Sequence, residues 1–423
     1  MLAFALGCCS AKAQQVALSS PGSWTRDGFR AGAFQTEVSP ARLTKLTHSL
    51  QIGSTGIDVT LSDEIEYSDN VRVEQNGREG LSNTFNLGFE TMWSPTKIQE
   101  IALTGSIGSR VPVYGPGKGR TLWNIAPTTA LKMTLHIDQL RLSPFFRASR
   151  SLDPVSALVV SETETFTQTM EDAGMVADYP LYQANVQLVA LAGNKRAAAE
   201  SMPAMNTRRY STAVRAVKSF GSASPLGSGS SVGSLLSVGT DVAVFKQSYD
   251  NGPSISSSGM GASAFVRRPI TKLMTGQLSA GWDSQGFTDS KDRTDSRRSS
   301  EPFFMLSINH RPNTNLTYSV LLRRAVFDGV STNYFRSTEF TLSPTYSLSE
   351  NLTTNASFTF KTSDESTAAG DHGHNVMASF GGSYSSKRGT SISFSYAYAD
   401  KVSSVKRREY TQNRLSFSIS RRL

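Results

Sequence analysis

The sequence is short of cysteine, of histidine and of long apolar runs, and each shortage closes a class of function. Among 423 residues there are two cysteines, Cys8 and Cys9. A chain processed beyond them has no disulfide and no thiol nucleophile. After residue 9 no apolar run approaches the roughly 18 residues that a spanning helix needs, which excludes a helical membrane protein. Charged residues amount to 18% and aromatics to 9%, a balance that argues against disorder. The five histidines are His48, His136, His310, His372 and His374. His136 and His310 fall at expected turns. His372-Gly373-His374, beside Asp371, has a spacing a metal could use, but it lies in a Gly-rich stretch that reads as a solvated loop. No Gly-x-x-x-x-Gly-Lys phosphate loop occurs, and the one Gly-x-Ser-x-Gly spacing, Gly229 to Gly233, lies in the Gly/Ser-rich stretch around Gly227-Ser228-Gly229 that reads as a flexible turn. The reading is therefore a non-enzyme, with no catalytic residue, no cofactor and no metal.

What is present begins with a targeting segment. Leu2 to Cys9 is a short apolar stretch, and Ala11-Lys12-Ala13 offers the small residues a signal peptidase accepts. Residues 1–13 read as a signal peptide; a lipoprotein signal ending at Cys8 is the rival. Lys and Arg number 43 against 34 Asp and Glu, and loss of Lys12 would leave a net charge of +8. Residues 14–56, with Trp24, Phe29 and Phe34 among Arg26, Arg30 and Arg42, join no pattern and read as a periplasmic arm or plug, disordered by default.

From residue 57 onward the chain alternates with period two, which puts apolar side chains on one face of a strand. Ile57, Val59, Leu61, Ile65 and Tyr67 share a face that Asp63 interrupts. Trp123, Ile125, Leu131, Met133 and Leu135 form one strand; Ile392, Phe394, Tyr396 and Tyr398 another; and the chain ends on Leu415, Phe417, Ile419 and Leu423. The opposite faces are polar, as in Ser391, Ser393 and Ser395. Runs of 10–13 residues exceed the five or six of a globular strand and match a tilted bilayer crossing. Short connections such as Ser94-Pro95-Thr96 alternate with long polar ones at 68–83, 109–122, 285–301, 328–337, 363–375 and 401–412. The expectation is an all-β fold: a closed antiparallel transmembrane β-barrel over 57–423, of about 18 strands, with short periplasmic turns and long extracellular loops. Sixteen is the alternative count, because 150–235 is the least patterned stretch and 194–204 reads as a long loop or a short helix.

Charges on the polar phase are candidates for the lumen: Glu64, Glu66, Glu90, Arg141, Arg147, Arg323, Glu339, Lys361 and Arg414. Facing lipid at the midplane they would cost up to ~2–4 kcal/mol each. Opposed acidic and basic walls would bias ion passage, with a modest anion preference from the basic excess; paired charges filling a plugged interior are the competing reading. Tyr67, Trp93, Trp123 and Trp282 are candidate interface aromatics, each with a ring that can lie apolar while its polar tip stays wet. Basic pairs, from Arg208-Arg209 to Arg421-Arg422, are spread along the chain. That distribution suits anionic outer-leaflet lipid such as lipopolysaccharide better than nucleic acid.

Tyr67-Ser68-Asp69-Asn70-Val71 resembles the Tyr-x-Asp-Asn-hydrophobic signature of porin-like bacterial outer-membrane barrels of the beta-barrel porin 2 type. Trp93-Ser94-Pro95, Ser151-Leu152-Asp153-Pro154-Val155 and Leu348-Ser349-Glu350-Asn351-Leu352 are similar to segments of that family, and the likeness covers about 55–423. Such barrels usually end on an aromatic residue read by the barrel-assembly machinery, whereas this chain ends on Leu423. The resemblance implies a barrel in a Gram-negative outer membrane and names no substrate. The functional expectation is a porin-like channel for small polar or anionic solutes or saccharides. The alternative is a structural barrel that contacts envelope polysaccharide without an open pore.

Overall fold

The computed structural model describes residues 50–71, 77–96, 98–126, 128–151, 167–182, 184–198, 205–220, 236–249, 256–288, 298–328, 334–366 and 370–423. Its strands are β1 (Leu50–Ile52), β2 (Thr55–Ser68), β3 (Gly80–Thr96), β4 (Gln99–Tyr114), β5 (Leu122–Ile125), β6 (Ala130–Ile137), β7 (Leu140–Ser151), β8 (Thr167–Leu181), β9 (Ala184–Ala198) and β10 (Met205–Phe220). They continue with β11 (Leu236–Tyr249), β12 (Ser257–Thr271), β13 (Met274–Phe287), β14 (Arg298–His310), β15 (Leu316–Asp328), β16 (Tyr334–Ser347), β17 (Leu352–Glu365), β18 (His372–Ser385), β19 (Thr390–Ser403) and β20 (Tyr410–Arg422). β5 and β6 lie end to end between β4 and β7, and β1 adds a short hairpin to the edge of β2 beyond β20. Eighteen staves remain, and the pairing of β2 with β20 closes them into an antiparallel barrel.

The alternation explains why these residues form this sheet. On the outer face Phe394 stands opposite Phe417 and Ile392 opposite Ile419, the kind of aromatic and β-branched pairing that stabilises neighbouring strands. On the inner face of the same two strands, the hydroxyls of Ser391 and Ser420, Ser393 and Ser418, and Ser395 and Ser416 hydrogen-bond at 2.6, 2.7 and 2.7 Å. Phe417, Phe380 and Leu278 are among the many apolar side chains left exposed on the outside. An exposed apolar belt of this size belongs in lipid.

Several expectations are corrected. β2 begins at Thr55 and β1 lies inside the stretch 14–56, so the barrel starts earlier than residue 57; residues 1–49 lie outside the described residues. Trp123 to Leu135 is not continuous: β5 ends at Ile125 opposite Ile107 and β6 begins at Ala130 opposite Thr104, a bulge at which Ala126 N–H reaches Ser106 O at 2.8 Å. Asn194–Ala198 continue β9 instead of starting a loop or helix. The extracellular connections are shorter than expected: 69–79, 115–121, 288–297, 329–333, 366–371 and 404–409. Strands such as the 17-residue β3 outrun the ~25 Å apolar band and carry polar residues above it. The end that holds β1 and Leu423 also holds two-residue turns at 138–139 and 272–273, and is the periplasmic side; 221–235 lie outside the described residues.

The Tyr67–Val71 motif sits on the seam where the barrel closes. Asp69 accepts hydrogen bonds from Asn413 N–H at 2.7 Å and from Asn413 Nδ2 at 2.6 Å. Asn70 Nδ2 donates to Thr411 O at 3.0 Å, and Gln412 Nε2 donates to Asn70 O at 2.7 Å. At the periplasmic end of the same seam Arg422 pairs with Asp58. Side chains thus clasp the first stave to the last above and below their backbone ladder.

Candidate functional site

The inner wall is the candidate site, since a barrel of this strand number is too wide for its own side chains to fill. All nine lumen-charge candidates lie on the inward phase, and most have partners. Glu66 accepts from Arg110 Nη2 at 2.7 Å, and Arg414 Nε lies 3.8 Å from it; Glu64 is the next inward residue on β2. Arg141 donates to Asp178 at 2.7 and 3.1 Å, and Gln187 holds the other Asp178 oxygen at 2.7 Å. Arg147 sits over the Phe145 ring, 4.7 Å from its centroid. Arg323 donates to Glu339 at 2.7 Å, and Lys361 stands opposite Glu339 in register. Glu90 is exposed and stands opposite Asp58.

Sequence reasoning missed two buried ion pairs of the inner wall. Arg209 of β10 reaches across β9 to Asp172 of β8 with bonds of 2.7 and 2.6 Å, the two side chains only 8% and 0% exposed. Gly193 of β9 lies between them, and a Cβ there would collide with Asp172 Oδ1. Next along β10, Arg215 grips Asp241 at 2.5 and 3.1 Å and lies over Phe265 at 5.2 Å. The only sequence signal for these residues was their phase within strands.

Glycine also sets how far aromatic rings protrude. Phe145 stands opposite Gly174, Phe245 opposite Gly259, Phe265 opposite Gly239 and Phe303 opposite Gly281. A Cβ on Gly174, Gly259 or Gly281 would come within 2.6, 2.6 or 2.5 Å of the ring tip. The four rings therefore lie along the wall, over the neighbouring strand, in the space a side chain would otherwise take. Large apolar residues are stored on the inner face of β7–β14 without projecting into the lumen.

On one side the wall doubles. β14 pairs with β13 along its whole length, but with β15 only from Phe304↔Arg324 to His310↔Tyr318. β15 and β16 stay paired up to Asp328↔Tyr334. Above Arg324 their outward phase meets the inward phase of β13 and β14. Tyr334 stacks on Phe287 with centroids 5.8 Å apart, Val326 joins them in one buried cluster, and Arg336 donates to Glu301 at 2.6 Å. The upper β15–β16 hairpin is thus tucked inside β14. Pro302, which has no N–H to give a ladder, lies two residues past the last pair. The lumen side of the tucked segment carries Phe327 stacked on Phe335 at 5.2 Å. Arg323 and Lys361 lie over Phe327 at 5.4 and 5.6 Å.

Tyr67, Trp93, Trp123 and Trp282 all point outward and are exposed. Trp93 lies toward the periplasmic end and Tyr67 and Trp123 toward the extracellular end; Trp282 lies nearer the middle of β13 and donates to Ser300 at 2.9 Å. His372 and His374 are on the outward phase of β18, away from the lumen, with His372 Nδ1 3.0 Å from Asp364. Residues 230–422 match the family model described as Putative beta-barrel porin 2. That beta-barrel porin 2 match spans β11–β20 and leaves the Tyr67–Val71 motif outside it. It is to the same family that the sequence resembles, and the apolar-belted barrel is an outer-membrane barrel of the Gram-negative type. No curated protein matches the chain. Among solved structures, Pseudomonas aeruginosa OpdK, in a crystal structure with vanillate, is 12% identical over 87% of this chain and 99% of its own, at a TM-score of 0.47. OccK2 (OpdF) of the same organism is 10% identical over 87% and 98%, at 0.48. The FrpB iron transporter of Neisseria meningitidis is 11% identical over 82% and 63%, at 0.47.

Proposed function

We propose that this barrel is a porin-like diffusion channel for small polar solutes, and that the tucked β15–β16 hairpin is its narrowest section. The observation that carries the reading is the doubled wall. A sheet laid against the inside of β14 removes cross-section without a long loop, while the rest of the inner face is kept low by serine ladders and by phenylalanines lying over glycines. At the foot of the tucked section the inner wall presents two cations, Arg323 and Lys361, against one carboxylate, Glu339. Charge at the narrowest section outweighs charge elsewhere, because at ordinary salt attraction decays over ~8–10 Å. The channel accordingly prefers anions modestly, against the acidic wall of Asp58, Glu64, Glu66 and Glu90. Refolded protein in a planar bilayer tests both parts. Stepwise conductance with an anion-selective reversal potential in a tenfold KCl gradient is expected. A cation-selective potential would put control with the acidic wall, and no conductance would favour the structural, polysaccharide-contacting barrel.

A further inference from the structure

On the outward phase, the extracellular thirds of the strands are not uniform around the barrel. On β7–β11 they carry Arg150, Arg196, Arg208 and Lys246, all exposed. Arg150 and Arg196 both stand opposite Thr169, one on each side of β8, which puts them two strands, roughly 10 Å, apart. Arg196 pairs with Asn206, two residues from Arg208; Arg208 pairs with Ser248, two residues from Lys246. These are diagonal neighbours, at about 7–8 Å. One acid, Glu171, lies among them. Just toward the membrane on the same face come Phe146, Tyr210 and Val244, exposed and apolar apart from the tyrosine hydroxyl. The row therefore lies at the edge of the lipid belt. On β17–β20 and β2–β5 the corresponding strand positions carry Asp364 and Asp400 and no Lys or Arg.

We infer that the outer face of β7–β11 is a docking surface for the phosphorylated headgroup of an outer-leaflet glycolipid, with Arg150, Arg196, Arg208 and Lys246 as its phosphate contacts. Position selects the occupant: four cations directly above an apolar belt face a headgroup whose chains lie along that belt. Planar guanidinium groups suit phosphate bidentately, and a cluster of this kind at a membrane surface recognises anionic lipid. The inference does not depend on whether the barrel conducts.

The test uses the full barrel in neutral detergent, titrated with a bis-phosphorylated glycolipid of the lipid A type and with its dephosphorylated counterpart. Bound lipid is counted by native mass spectrometry. The parent is expected to bind the phosphorylated form, and a variant with Arg150, Arg196, Arg208 and Lys246 each changed to Gln is expected to bind it about tenfold or more weakly. A second variant removes the same charge from the periplasmic end (Lys272, Lys387, Arg388 and Arg421 to Gln) and should bind like the parent. Glu171→Gln, at an exposed site that leaves every cation in place, should bind more tightly. Equal weakening by the two quadruple variants would mean that only net charge is sensed, and equal binding of the dephosphorylated lipid would remove phosphate recognition; either result overturns the inference. Should the first quadruple variant fail to fold, an unchanged affinity in Glu171→Gln would overturn it alone.

Discussion

The tucked hairpin is held by contacts whose loss can be sized. Tyr334 is 4% exposed, with its ring on Phe287 and its neighbour Val326 at 3%. A buried aromatic covers 150–250 Å², which at ~25 cal/mol per Å² gives roughly 4–6 kcal/mol, in line with the ~3–5 kcal/mol usual for aromatic-to-alanine changes. Glu301→Gln weakens one ion pair whose arginine is 39% exposed, so its effect is screened to at most about 1 kcal/mol. The rest of the barrel is joined by its own ladders, so Tyr334→Ala should release the hairpin without unfolding the cylinder. If the tucked state is favoured by a few kcal/mol, Glu301→Gln shifts its ratio to the released state by about fivefold and Tyr334→Ala by two to four decades. Single-channel recording should then show brief larger-conductance events in Glu301→Gln and a steady larger conductance in Tyr334→Ala. A folded, heat-modifiable Tyr334→Ala barrel with the parent's conductance and noise would refute the assignment of this hairpin as the constriction.

Gly281→Ala should drive a Cβ into the Ala262 carbonyl oxygen as well as the Phe303 ring and cost about 1–3 kcal/mol, read as a lower urea midpoint in bilayers, with Phe303→Leu in the same chain restoring only the part due to the ring. Phe417→Asp should block assembly, read as loss of heat-modifiable migration, because it puts a carboxylate on the lipid face next to Asp63, which stands opposite Ile419 just as Ile65 stands opposite Phe417; Leu423→Phe should leave assembly unchanged or improve it. At the extracellular rim, burial would raise the Asp371 carboxyl, but Ser403, Lys401 and Arg408 hold it below its ordinary value. Its contribution to stability is therefore present above the ordinary carboxylate range and lost as pH falls through the depressed value, so hydrogen-exchange protection at the β17–β19 rim, taken relative to the intrinsic rate at each pH, should fall in acid, and Asp371→Asn should remove that acid step.

The sheet was most legible where the two faces differ most. On β19 and β20 every inward position from Ser391 to Ser395 and from Ser416 to Ser420 is serine, and every outward one is large and apolar. Strand, phase and pairing followed from the alternation. On β8–β12 the inner face carries Met170, Val176, Val189, Leu191, Ala213, Ala243 and Phe265, all buried. Leu188 to Ala192 then reads as one apolar run, which strand and helix share. That is why 194–204 resembled a loop or helix and why the count was loose there. The same blur hid Arg209–Asp172 and Arg215–Asp241. Their partners lie 37 and 26 residues apart, and only register brings them together.

The doubled wall shows what alternation cannot carry. Val326, Tyr334 and Arg336 keep the outward phase of β15 and β16 whether that face meets lipid or the inside of β14, since period two records that a face is covered and not by what. A different signal was present in the residues. Arg324 and Arg336 are cations on an apolar phase, where lipid would exact a cost, and Pro302 interrupts the donor row of the neighbouring strand. A charge on the lipid phase next to a strand proline is a reason to expect that the wall has parted, because water or a second polar surface must then reach the charge. Asp63 shows the limit of the rule. It also breaks an apolar phase, yet β2 is paired on both sides of it, with Phe85 and Ile419 opposite. The charge alone raises the question, and the break in the ladder beside Pro302 decides it.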